Sequence, residues 1–106
     1  MKYEDDGFCY VCGKHNPEGF KVSFTLDERG VETSFTAEKR HQGYRDVLHG
    51  GFLAMLLDEV MVQLPYMKFG EFTVNAAFGV KLLQPVPVGS RLRARAAFDG
   101  PAEAGQ

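Results

Sequence analysis

Between Lys21 and Ala37 the chain alternates. Val22, Phe24 and Leu26 fall on one side and Lys21, Ser23 and Thr25 on the other, the period-two pattern of a half-buried strand. Asp27-Glu28-Arg29-Gly30 is a compact polar turn, after which Val31, Thr33, Phe35 and Ala37 alternate against Glu32, Ser34 and Thr36. The two runs predict a β-hairpin. Glu38 to Leu48 is charged, mixed and interrupted by Gly43, which reads as a loop. From about Gly50 to Leu64 apolar residues recur on nearly every side, with Phe52, Leu53, Leu56, Val60 and Leu64 among them. That predicts a helix buried on most sides and stopped by Pro65. Glu71 to Leu83 alternates again, with Phe72, Val74, Ala76, Phe78, Val80 and Leu82 on one face. Gly79 inside this run predicts a bulge or a close approach by another group. After the turn Pro85-Val86-Pro87-Val88-Gly89, a last strand sends Leu92, Ala94, Ala96 and Phe98 inward and Arg91, Arg93 and Arg95 outward. The predicted order is β-β-α-β-β, an α+β domain with one buried helix wrapped by an antiparallel β-sheet.

Composition narrows the class of protein. The 106 residues suffice for one small domain, 1–106, with a Cys-containing segment over 1–19 and a polar tail over 99–106. A hydrophobic content of 44% and a charged content of 25% are ordinary for a soluble globular chain. A net charge of −2 argues against a nucleic-acid partner. No stretch is long enough to span a bilayer, and Met1 to Gly7 lacks the apolar run of a signal peptide. A cytoplasmic location without a membrane partner is therefore expected. Two cysteines, Cys9 and Cys12, are too few for a disulfide framework.

The chemistry concentrates between Leu48 and Glu59. Gly50 and Gly51 stand where the apolar helix begins, so its first N–H groups lie bare for a carbonyl oxygen or an anion. Asp58 and Glu59 interrupt the apolar run near its middle, where packing gives no reason for a carboxylate. They point about 100° apart, so one of them faces a site and the other is a solvated or dimer-edge charge. Gly50 and Asp58 are separated by roughly 12 Å along one helix. Groups that far apart cannot meet at one carbonyl carbon at ~3 Å, so if both act, they come from different copies of the chain.

Cys9-x-x-Cys12, with His15 and His41, has the soft ligands of a zinc site. A second cysteine pair is missing, however, and the ligand count rests on distant histidines. Two buried thiols pinning the N-terminal segment are expected instead, with no metal and no cofactor.

Several segments carry a family resemblance. They are Cys9-x-x-Cys12-Gly13 with Asn16-Pro17-x-Gly19, His41-Gln42-Gly43, and His49-Gly50-Gly51 with Asp58-Glu59 on the helix. Leu83-Gln84-Pro85-Val86-Pro87-Val88-Gly89 closes the following strand. Together they resemble the hotdog fold, and more narrowly the PaaI-type acyl-CoA thioesterases.

The resemblance implies that the Gly50 and Gly51 amides polarise a thioester carbonyl, with Asp58 acting as base on a water or as nucleophile. It implies that Asn75 occupies the polar position on the strand after the helix, where it would help place the water or the acid. The asparagine that often shortly precedes His-Gly-Gly falls at Gly43 here, with Gln42 beside it as the candidate substitute, and His49 is expected to orient the turn by bonding nearby backbone. Lys81, Arg91 and Arg93 are candidate contacts for coenzyme A phosphates, or else a solvated strand face. Met55, Met61 and Met67 would line an acyl pocket or fill the core.

Hotdog proteins form dimers, so a homodimer or homotetramer acting on acyl-CoA is implied. They usually add two strands after the one that here ends near Phe98, and Asp99 to Gln106 supplies neither. The expected fold is thus a hotdog lacking its last two strands. The alternative function is a non-catalytic acyl-binding or dimerisation module, or an inactive fragment. A hotdog dehydratase fits less well, because no histidine follows the acid pair.

Overall fold

The structure is a computed structural model and describes residues 3–99. It consists of strand β1 (Phe24–Asp27), strand β2 (Gly30–Thr36), a short 3-10 turn (Lys39–His41), helix α1 (Gly50–Phe69) and strand β3 (Arg91–Ala96). The strands form one antiparallel sheet in the order β1-β2-β3, and α1 packs on its inner face. Apart from Asp99, the tail assigned to 99–106 lies outside the described residues.

The sheet follows the alternation in the sequence. β2 is paired on both sides, with Leu26 opposite Val31 in β1 and Phe35 opposite Leu92 in β3. Its inward residues Val31, Thr33 and Phe35 are buried, as are Ala94 and Ala96 of β3. The outward positions carry an ion ladder. Arg95 reaches Asp27 at 3.2 Å and Glu32 at 3.0 Å, and Arg93 approaches Glu32 at 3.6 Å. These pairs are solvated and contribute little individually. The sheet is held mainly by its apolar face.

Helix α1 meets that face through one stripe. Leu56, Val60 and Leu64 recur at a spacing of four residues and are buried. The expectation of a helix buried on most sides is corrected here. Leu53, Met55 and Leu57 are half-buried and Met61 is exposed, because three strands cover only one flank.

Pro65 does not stop the helix either. Proline lacks its own N–H and crowds the preceding turn, but it imposes nothing on the residues that follow. Here Pro65 is buried beside Leu64, and α1 continues to Phe69. The helix ends at Gly70, whose φ of 73° is left-handed and whose N–H donates to the Tyr66 carbonyl at 2.8 Å.

The strand expected over 71–83 is absent. The segment runs back along α1, from Phe72 stacked on Tyr66 (ring centroids 4.9 Å apart) past Asn75 at Asp58 to Leu82 beside Gly50. Its alternating apolar residues Phe72, Val74, Phe78, Val80 and Leu82 are exposed. Alternation specifies a pleat, whereas a strand also needs a neighbour, and no ladder partner for this segment exists among the described residues.

His41 lies inside an aromatic cluster of Phe20, Phe35 and Phe52, with ring centroids 5.0 to 5.3 Å away. Its Nδ1 accepts the Glu38 N–H at 2.9 Å, while Nε2 has no partner among the described residues. Burial, reinforced by the Arg40 charge, pushes its pKa below the ordinary 6.5. Below that value the unfolded chain takes up a proton that the folded chain resists, so acid erodes stability. We expect the melting temperature to fall from about pH 7.5 to about pH 5.5, and to fall less steeply in His41→Gln. Equal slopes in thermal melts of the two proteins would contradict this.

Candidate functional site

The loop entering α1 is closed by its own backbone. Gln42 pairs with Leu48 across a short antiparallel bridge, and its Oε1 accepts the Asp46 N–H at 3.0 Å. Gln42 therefore shapes the loop, and its carbonyl is turned inward on that loop. The His49 N–H donates to the His41 carbonyl at 2.9 Å, which fixes the residue preceding the helix.

His49 caps α1. Its backbone is extended, with φ −65° and ψ 130°, and its Nδ1 accepts the Gly51 N–H at 2.8 Å. Its carbonyl accepts the Phe52 N–H at 3.0 Å. This orienting contact separates the two glycine amides. The Gly51 N–H is taken up by the cap, while the Gly50 N–H has no partner among the described residues. Of the two amides expected as polarising donors, Gly50 is the one left open by the cap. It borders a cleft of about 440 Å³ lined by Gly43, Tyr44, Val47, Leu48 and His49. A smaller cleft of about 270 Å³ on its other side is apolar, with Leu53, Leu82, Leu83 and Val86.

Asp58 is half-buried eight residues further along α1. Asn75 Nδ2 donates to its Oδ1 at 2.8 Å, so the carboxylate is held in place by an amide from the returning segment. Asn75 also lines a cleft of about 390 Å³ with Met61, Pro65 and Phe98. The structure thus brings Asp58 and Asn75 together. Gly50 lies roughly 12 Å away along the helix, bordering different clefts.

The basic candidates are placed elsewhere. Arg91 donates to Thr36 Oγ1 at 2.9 Å, and Arg93 belongs to the ion ladder on the outer face of the sheet, away from α1. Lys81 is exposed on the returning segment. Among the described residues no hydrogen bond joins any of the three to Gly50 or Asp58.

A second cluster joins the Cys9/Cys12 pair to Glu59, a contact that was not read from the sequence. Glu59, expected as a solvated or dimer-edge charge, is half-buried, with Oε1 3.6 Å from Cys9 Sγ and Oε2 3.6 Å from Cys12 Sγ. Gln63, one turn along the helix, donates to Glu59 Oε2 at 2.9 Å. Burial, then the neighbouring Cys9 thiol and the Glu59 charge, push the Cys12 thiol far above its ordinary range. Both cysteines are half-exposed, so the expectation of buried thiols is corrected. His15 lies against Phe8 and His41 sits in the aromatic cluster, so neither histidine joins the sulfurs. The Glu59/Gln63 spacing, one helical turn on one face, was the available signal.

Among the described residues no helix is long and apolar enough to cross a membrane. Compared with known proteins, the chain matches no family model, no curated protein and no solved structure.

Proposed function

We propose that this chain is an acyl-CoA thioesterase of hotdog type, working as a dimer in which each site combines Gly50 of one copy with Asp58 of the other. One observation carries this reading: a helix carboxylate held by a dedicated amide, Asn75 to Asp58 at 2.8 Å, on a helix whose first N–H is open.

The chemistry follows from those groups. Asp58 takes a proton from water as the water oxygen bonds to the thioester carbon. Negative charge develops on the carbonyl oxygen, where the Gly50 N–H and the positive end of the helix dipole stabilise it. The C–S bond then breaks, the carbonyl re-forms, and the proton passes to the departing thiolate, leaving a carboxylic acid and free coenzyme A. Asn75 keeps the carboxylate aimed and can donate to its ionised form. The apolar cleft at Leu53, Leu82 and Leu83 borders Gly50, where an acyl chain would lie.

A second copy is supported by two features. The first is the separation of Gly50 and Asp58 on one rigid helix. The second is the 71–83 segment, whose exposed alternating residues, with no ladder partner among the described residues, are a ready edge for another chain. Pairing there would restore the sheet that the sequence pattern implies. A non-catalytic acyl-binding module is the second reading, favoured by the open, separate clefts of a single chain.

The deciding experiment is thiol release from aryl, short-chain and long-chain acyl-CoAs. Turnover that disappears in a folded Asp58→Asn variant is expected. A folded wild-type dimer inert across the whole panel would favour the binding module.

A further inference from the structure

Beyond the thioester site, one group of side chains has chemistry that hydrolysis does not use. Cys9, Cys12 and Glu59 each present a ligand atom, and the three atoms lie within 4.8 Å of one another. We propose that they bind a thiophilic divalent cation of the zinc type, which fastens the N-terminal segment to α1.

The geometry argues for this in three ways. First, tetrahedral zinc with sulfur at ~2.3 Å and oxygen at ~2.0 Å sets those two ligands roughly 3.5 Å apart. Here each sulfur stands 3.6 Å from its own carboxylate oxygen, Cys9 Sγ from Glu59 Oε1 and Cys12 Sγ from Glu59 Oε2, so the carboxylate spans the pair. Second, the Cys-x-x-Cys turn is already wound for convergence. The Cys12 N–H points at Cys9 Sγ at 3.5 Å, and the Gly13 N–H donates to the Cys9 carbonyl at 2.8 Å. A Cβ at Gly13 would fall 2.4 Å from Cys9 N, so the turn closes this tightly only with glycine. Third, Glu59 has an outer support, because Gln63 fixes its Oε2 at 2.9 Å in the manner of groups that orient metal ligands.

The charge balance points the same way. Among the described residues no lysine, arginine or histidine pairs with Glu59. The adjoining cleft of about 380 Å³ is rimmed by Glu4, Asp5 and Asp6, which draw a cation toward its mouth. Three protein ligands facing a cleft leave the fourth position for water. Because the site joins residues 9 and 12 to residue 59, an ion there would tie down a segment otherwise held by few backbone bonds, such as Phe20 N to Tyr10 O and Val22 N to Val11 O.

The test uses the full chain, reduced and stripped of metal, titrated with zinc and separately with cobalt(II). One zinc per chain is expected, and the cobalt form should show thiolate-to-cobalt charge transfer with the visible bands of a tetrahedral site. Cys12→Ser should remove both signals. Gln63→Ala should weaken zinc about tenfold while leaving the ligands in place. Limited proteolysis should show residues 3–20 protected by zinc in the wild type alone.

Several results would overturn the proposal. They are failure of the reduced wild type to bind, a cobalt spectrum without thiolate bands, or affinity unchanged in both Cys12→Ser and Glu59→Gln. Each readout is independent of acyl-CoA turnover, so an inactive protein that binds zinc, or an active one that does not, separates the two readings.

Discussion

Two inactive variants, Asp58→Asn and Gly50→Pro, are expected to restore each other when co-expressed in one dimer. Asp58→Asn removes the base and should lower thioester hydrolysis by about 10²–10⁴-fold. Gly50→Pro deletes the open N–H, and loss of one oxyanion donor should lower the rate by about 10²–10³-fold. Proline suits this position, the first of α1, because its fixed φ belongs at a helix start. The preceding His49, with ψ 130°, already has the extended backbone that proline requires before it. A Cβ added at Gly50 meets only the flexible end of Leu82, whose Cδ1 lies 2.7 Å away.

In a mixed dimer one site inherits both defects and the other inherits neither. Random pairing should thus return about a quarter of the wild-type sites, since a two-fold interface builds its two sites from reciprocal residues. If each chain carried a complete site, mixing would restore nothing. Thiol release from the purified mixture, beside each variant alone, distinguishes the outcomes.

Leu56→Ala is expected to be the most damaging single change to the fold. Leu56 is 1% exposed and is one of the largest fully buried side chains, at the N-terminal end of the stripe that α1 presents to β2 and β3. Truncating such a leucine costs about 2–5 kcal/mol, because the cavity only partly collapses. Domains of this size have roughly 5–15 kcal/mol in total, so the loss is a large share. A fall in melting temperature of roughly 10 °C or more should follow. Glu28→Ala, in the exposed turn between β1 and β2, should change stability by no more than about 0.5 kcal/mol. Thermal or urea unfolding of the three proteins side by side checks this. A Leu56→Ala protein melting within a few degrees of wild type would mean that α1 is not seated on the sheet through this stripe.

How much of this was legible in the sequence depended on whether a pattern is local. The hairpin was legible because Val31, Thr33 and Phe35 alternate with Glu32 and Ser34 over a sheet with one covered face. β3 was legible for the same reason, with Ala94 and Ala96 inward. The start of α1 at Gly50 was read from the glycines, but its end was not, because a proline constrains the turn before it more than the turn after.

At 71–83 the alternation was real, yet a pleat without a ladder partner remained an exposed segment. Asn75 was singled out through the family resemblance, and its amide donates to Asp58. Which glycine amide stays open depends on the His49 rotamer, which no sequence pattern encodes. The contact between Glu59 and the cysteines joins positions 47 and 50 residues apart, so it emerges only when the N-terminal segment folds onto the helix.

The central ladder has a consequence for synthesis on the ribosome. Arg95 and its partner Asp27 are 68 positions apart, and the whole of β2–β3 pairing spans similar distances. While the hairpin and α1 emerge, one edge of β2 has no neighbour, and Val31 and Phe35 lack part of their cover. The nascent chain must keep that edge from other chains until β3 is translated. Closure over so long a loop is slow compared with local helix formation. Slow translation across residues 71–90 would therefore lengthen the interval in which the half-built sheet is most open to aggregation.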